Sequence, residues 1–157
     1  MFRFILIAVC LAVPVLSYST GAPNKICTNG LTPEHHLEGQ TSSPPYSFSA
    51  AQSVRAGDKL SITLSGDDFL GFAIQAQDSD NKPVGTFNPV DNHSSQTLTC
   101  SAPGDTLTHK KLAEPIKSLK IEWTAPQTKG KVRLVGTVAK NGATFWVRKV
   151  LLDVNVE

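Results

Sequence analysis

Long apolar runs, thiols and charge are all scarce in this 157-residue sequence. Beyond residues 4–16 (FILIAVCLAVPVL) no apolar run approaches the roughly 18 residues that a membrane-spanning helix needs, so no transmembrane anchoring is expected. Charged residues make up 18% of the chain and the formal net charge is +2. That is far from the basicity of a protein whose main work is neutralising phosphates, and nucleic acid is excluded as a principal partner. The chain holds no G-x-S-x-G elbow and no H-E-x-x-H pair. Ser65 beside Asp67 and Asp68 forms no recognisable triad with any histidine, and Asp in such a cluster is favoured for its turn hydrogen bonds. His35-His36, His93 and His109 lack the spacing that presents two imidazoles on one face, so neither a metal nor a cofactor is expected. Asp78-x-Asp80-Asn81 begins like a calcium loop, but Pro83 and Pro89 stand where Gly and Glu are required, which leaves a turn. No catalytic residues are assigned.

What is present starts at the N-terminus. Arg3, the apolar run and the small residues Ser17 and Ser19 have the layout of a secretory signal peptide, read here as residues 1–17 with the mature domain at 18–157. Secretion implies an oxidising compartment. Loss of the leader removes Cys10 and leaves Cys27 and Cys100, which can pair in one way only. Asn92-His93-Ser94 is a glycosylation acceptor triplet in an Asp/Asn/Ser-rich stretch that reads as an exposed loop.

From residue 18 to residue 45 the chain is irregular, punctuated by Gly, Pro, Asn and Ser. Period-two alternation then takes over: Leu60, Ile62, Leu64; Phe72, Ile74, Ala76; Leu119, Ile121, Trp123; Val132, Leu134, Val138; and Val150, Leu152, Val154, Val156. Gly136 interrupts its strand and predicts a bulge or a close approach. Weaker strands are expected near residues 46–49, 84–87, 96–100 and 144–147, with turns at 66–68, 78–83 and 102–105. Asn141-Gly142 predicts a type I′ hairpin. Eight or nine short strands without a helix indicate an all-β, immunoglobulin-like β-sandwich with an irregular, disulfide-tethered N-terminal segment.

Charge is unevenly distributed. Residues 18–107 carry 4 Lys/Arg against 9 Asp/Glu, and residues 108–157 carry 10 against 4. If neighbouring strands present these cations, they form a basic face suited to anionic surface polymers or glycans. Phe145 and Trp146 are consecutive on a strand and must point to opposite sides, so one is expected in the core and the other partly exposed, offering a sugar-stacking ring. The candidate ligand-binding set is Lys129, Lys131, Arg133, Trp146, Arg148 and Lys149.

An ordered set of residues carries a resemblance through nearly the whole mature chain: Gly21-Ala22-Pro23 and Cys27, Pro33 with His35, Pro44-Pro45-Tyr46, Gly71-Phe72-x-Ile74-Gln75-Ala76, Val84-Gly85-Thr86-Phe87, Cys100, Thr108-His109, Trp123-x-Ala125-Pro126, Gly130-x-Val132 and Phe145-Trp146. Together they resemble a reeler domain, and a lone reeler domain behind a leader is similar to the insect defence proteins of the noduler type. The sequence departs from the family at Val54, where an aromatic is common, and at Gln77, where a basic residue often stands. The resemblance implies a secreted, non-enzymatic immunity protein that binds microbial surface polysaccharide or lipopolysaccharide, and blood cells, and gathers microbes into nodules. An extracellular matrix or glycan-binding adhesion module is the alternative.

Overall fold

The computed structural model describes residues 21–157; the expected leader 1–17 and Cys10 lie outside the described residues. Among the described residues there are ten strands and one short 3-10 turn, Asn24–Cys27. The strands are β1 (Tyr46–Ser49), β2 (Ser53–Val54), β3 (Lys59–Phe69), β4 (Gly71–Gln77), β5 (Thr86–Pro89), β6 (Ser95–Leu98), β7 (Thr106–His109), β8 (Ile116–Thr124), β9 (Gly130–Ala139) and β10 (Phe145–Val156). They form a four-stranded sheet in the order β1-β3-β8-β5 and a six-stranded sheet in the order β2-β10-β9-β4-β7-β6.

The alternation read from the sequence determines what lies between the sheets. Leu60, Ile62 and Leu64 of β3 and Leu119, Ile121 and Trp123 of β8 pack against Phe72, Ile74 and Ala76 of β4 and Val132, Leu134, Val150 and Val154 of β9 and β10 in one buried cluster. Trp123 is fully buried and its Nε1 donates to the carbonyl of Val84 at 3.1 Å, so the ring fills the core without leaving its N–H unpaired.

Two local expectations are corrected, and a third is met by one of its two alternatives, a close approach. Residues 66–68 do not end a strand: β3 runs through them with a register irregularity between Ser65 and Phe69, and the chain crosses to the other sheet at Leu70. The hairpin between β9 and β10 is present, yet neither Asn141 nor Gly142 has positive φ. Asn141 Oδ1 instead accepts the N–H groups of Ala143 and Thr144, both at 2.9 Å, so an Asx turn replaces the type I′ turn. The irregularity expected near Gly136 divides between two strands. The bulge lies in β10 between Trp146 and Val150, while Gly136 admits the ring of Phe48, which would stand 2.8 Å from a Cβ there.

The irregular segment 22–40 is a strap across the outer face of the six-stranded sheet. Ile26 and Leu31 pack on Ala73 and Val135 in a second, smaller apolar cluster, and the Cys27–Cys100 disulfide ties the strap down. This explains why every residue of β4 is buried, on both faces of the strand. It also explains why β7 was not anticipated: Thr106 and Thr108 are polar, but they lie under the strap and are buried.

Candidate functional site

On β9, alternation turns Lys131 and Arg133 outward while Val132 and Leu134 enter the core. Antiparallel pairing sets Asp153 of β10 opposite Arg133, and on the other side β4 sets Gln77 opposite the same residue. Three strands thus present their outward side chains together. With Asp78, Ser79 and Asn81 from the turn after β4 they line an open cleft of about 440 Å³, which also includes Arg148, Leu151 and Asp153.

Two hydrogen-bonded devices hold the two arginines of the cleft. Arg133 donates through Nε to Asp153 Oδ1 at 2.6 Å and through Nη2 to Asp153 Oδ2 at 3.1 Å, a two-pronged fork. These bonds hold the Asp153 carboxyl below its ordinary range and raise the Arg133 guanidinium further. The pair is exposed to water, so it contributes little to stability and acts mainly to orient the guanidinium.

Arg148 is held differently. It sits on the β10 bulge with φ 53°, and its backbone N–H donates to Thr137 Oγ1 at 3.0 Å. Its Nη2 donates to Gln77 Oε1 at 2.9 Å; Gln77 Nε2 donates to Gln75 Oε1 at 2.7 Å, and Gln75 Nε2 to Thr106 Oγ1 at 2.9 Å. Thr106 Oγ1 in turn donates to Asp105, whose carboxylate accepts the backbone N–H groups of Cys100, Ser101 and Ala102. A polar chain therefore runs beneath the strap from the cleft to the disulfide. Buried polar groups satisfied in this way fix one geometry.

Of the residues proposed from the sequence, the structure brings Lys131, Arg133 and Arg148 together. Lys129 is exposed in the β8–β9 turn outside the cleft lining. Lys149 turns to the chain just after the strap, where its ammonium donates to the carbonyls of Thr41 and Ser42. Trp146 is 7% exposed and packs in the core edge-on to Tyr46, donating to Ser42 Oγ at 3.2 Å. The exposed member of the aromatic pair does not exist: Phe145 faces outward but the strap covers it, with His35 edge-on to its ring at 5.4 Å.

A single basic face is likewise not formed. Lys117 and Lys120 lie on β8 in the four-stranded sheet, on the opposite side of the core from Lys131 and Arg133. β8 and β9 are consecutive in the chain but belong to different sheets. The cleft is mixed in sign, with Asp78 and Asp153 among the cations. Leu151, 51% exposed, adds an apolar surface. Such a cleft has hydrogen-bond donors, acceptors and one apolar wall.

Asp153 and Leu151 were missed by sequence reasoning, and Asp78 was read only as part of a turn. The signal for Asp153 was its outward position on β10, but pairing it with Arg133 requires counting across a bulge. Asn92 is exposed in the turn between β5 and β6, and its carbonyl accepts from Lys110 Nζ at 2.7 Å. The Asp78 turn is closed by Asp78 Oδ1 accepting from the N–H groups of Asp80 and Lys82. Among the described residues no three of His, Cys, Asp or Glu cluster as metal ligands, and no helix is long and apolar enough to cross a membrane.

Comparison with known proteins places this architecture. The chain is 44% identical over 160 residues to Defense protein l(2)34Fc of Drosophila melanogaster, covering 100% of both. It is 34% identical over 140 residues to Ferric-chelate reductase 1 of Bos taurus, covering 85% of this chain and 23% of that protein. The Reelin-N domain of F-spondin superposes with a TM-score of 0.65 at 17% identity, covering 85% of this chain and 96% of that one, which shows a shared fold. The family model of the Reeler domain matches residues 25–156, and the chain belongs to the Reeler domain family.

Proposed function

We propose that this protein is a secreted, non-catalytic immune protein that binds microbial surface polysaccharide or lipopolysaccharide through the β4–β9–β10 cleft and so gathers microbes together. The observation that carries the proposal is the convergence of Lys131, Arg133 and Arg148 with Asp78, Asp153 and the exposed Leu151 on one outer face. Full-length similarity to a protein named for defense supports the role, and the disulfide suits an extracellular protein. Fixed guanidinium groups reach phosphate or carboxylate substituents on a surface polymer, while Asp and Asn acceptors reach sugar hydroxyls. Affinity at one small, wet site is modest, and firm attachment comes from repetition of the ligand over a microbial surface.

Pull-down of the disulfide-intact domain on whole bacteria, yeast, blood cells and heparin beads tests this, at low salt and at about 0.5 M salt, where exposed charges are heavily screened. Binding to microbes that survives in part at high salt supports mixed polar recognition. Binding to heparin alone points to a matrix adhesion module, and binding to none of them overturns surface recognition.

A further inference from the structure

A second cavity, of about 200 Å³, lies under the strap at the other end of the same sheet. Its walls are mainly apolar: Ile26 and Leu31 come from the strap, and Ala73 from the outer face of β4. His35 also lines it, held edge-on against Phe145. The Nδ1 atom of His35 is buried and has no hydrogen-bond partner. Leaving a buried polar atom unpaired is unfavourable, so such groups are retained where something pairs with them. His109, the other imidazole in the lining, is engaged, its Nδ1 accepting the N–H of Phe72 at 3.2 Å.

We propose that this cavity binds a medium-length acyl chain, its tail against Ile26, Leu31 and Ala73 and its carboxyl oxygen accepting a hydrogen bond from the His35 imidazole, which turns its covered Nδ1 into the cavity as the ligand enters. Size sets the class: an apolar cavity of about 150 Å³ stays dry and takes up benzene, and drug-sized ligands need upward of about 300 Å³. A chain of about six to eight carbons lies between those limits. The rim supports an anionic head, because Lys111 is exposed there while Glu34 is taken up by an ion pair with Lys25. The strap is pinned by the Cys27–Cys100 disulfide, so the cavity is pre-formed and the ligand need not order its own roof. This site is separate from the cleft and does not rest on its function.

Titration calorimetry with octanoate on the full mature chain is the test, with His35→Leu, which keeps the bulk and removes the donor, and Ala73→Leu, which fills the cavity. Saturable one-to-one uptake is expected, weakened about tenfold by His35→Leu and abolished by Ala73→Leu, with thermal midpoints confirming that both variants fold. A short-chain dioctanoyl phosphatidylglycerol added as competitor separates the sources: displacement of octanoate assigns the site to lipid acyl chains, and failure to displace assigns it to free acids. No uptake by the wild type overturns the proposal, as does uptake unchanged in a folded Ala73→Leu variant.

Discussion

Arg148 Nη2 donates to Gln77 Oε1 at 2.9 Å from a residue whose backbone lies at φ 53°. The left-handed conformation costs a non-glycine residue about 1–2 kcal/mol. The β10 bulge that imposes it also brings the side chain over β4, where it caps the buried glutamine pair. Bulges commonly serve to re-aim a side chain, and strain of this kind persists where the surroundings over-determine it.

Two substitutions separate the strain from the bond. Arg148→Ala keeps the strained backbone and leaves Gln77 Oε1 unpaired, and a loss of about 1–3 kcal/mol is expected. Arg148→Gly loses the same bond but relieves the backbone, so it is expected to be more stable than the alanine variant by about 1 kcal/mol. Urea unfolding midpoints of the two variants read the difference directly.

Removing the disulfide with Cys27→Ser and Cys100→Ser opens a loop of sequence separation 73. Chain-entropy reasoning gives a loss of about 4 kcal/mol. The loss should be uneven, with amide exchange rising first at Ile26 and Leu31, where a small apolar cluster and a few hydrogen bonds hold the strap, and later at Ile62 and Trp123 in the main core.

Trp146 distinguishes a core role from a binding role. Trp146→Ala is expected to cost about 3–5 kcal/mol, the usual range for a large aromatic in a packed interior. Trp146→Phe retains most of the packing against Tyr46 while losing the bond to Ser42, so it should bind microbes like the wild type in a pull-down. A binding loss in a folded Trp146→Phe variant would assign the ring to the ligand after all.

Tyr46 sets a pH limit. Burial first, then the neighbouring charges of Asp67 and Asp68, raise its pKa above the ordinary value of 10.0. The neutral phenol, which donates to the Asp68 carbonyl at 3.0 Å, is thereby favoured in the folded state. Its contribution is complete below pH 10 and is lost as pH rises from there through the folded-state value. Thermal midpoints of the wild type should fall over that interval, and Tyr46→Phe should flatten the fall.

Much of this architecture is legible from alternation alone, because a strand with one buried face writes its pattern in period two. Leu60, Ile62 and Leu64 were assigned to the core in that way, and β1 was found at residues 46–49. The failures at Phe145, Thr106 and Thr108 share a physical cause. Phe145, Thr106 and Thr108 are buried on the outer face of the six-stranded sheet, because an irregular segment distant in sequence lies over them. Nothing local in the chain records that cover. The same holds for the site: outward cations on β9 were found, but the assignment of β8 and β9 to opposite sheets, and the bulge that delivers Arg148, are properties of the assembled fold.

The most direct measurement compares charge reversals on the two outer faces. Lys131→Glu with Arg133→Glu alters the cleft, and Lys117→Glu with Lys120→Glu alters the four-stranded sheet by the same total charge, with circular dichroism checking both folds. Quantitative pull-down on whole bacteria is predicted to fall at least about tenfold for the cleft pair, the equivalent of roughly 1.4 kcal/mol, and to change little for the other pair. Equal losses for both pairs, or no loss for either, would contradict recognition through the cleft.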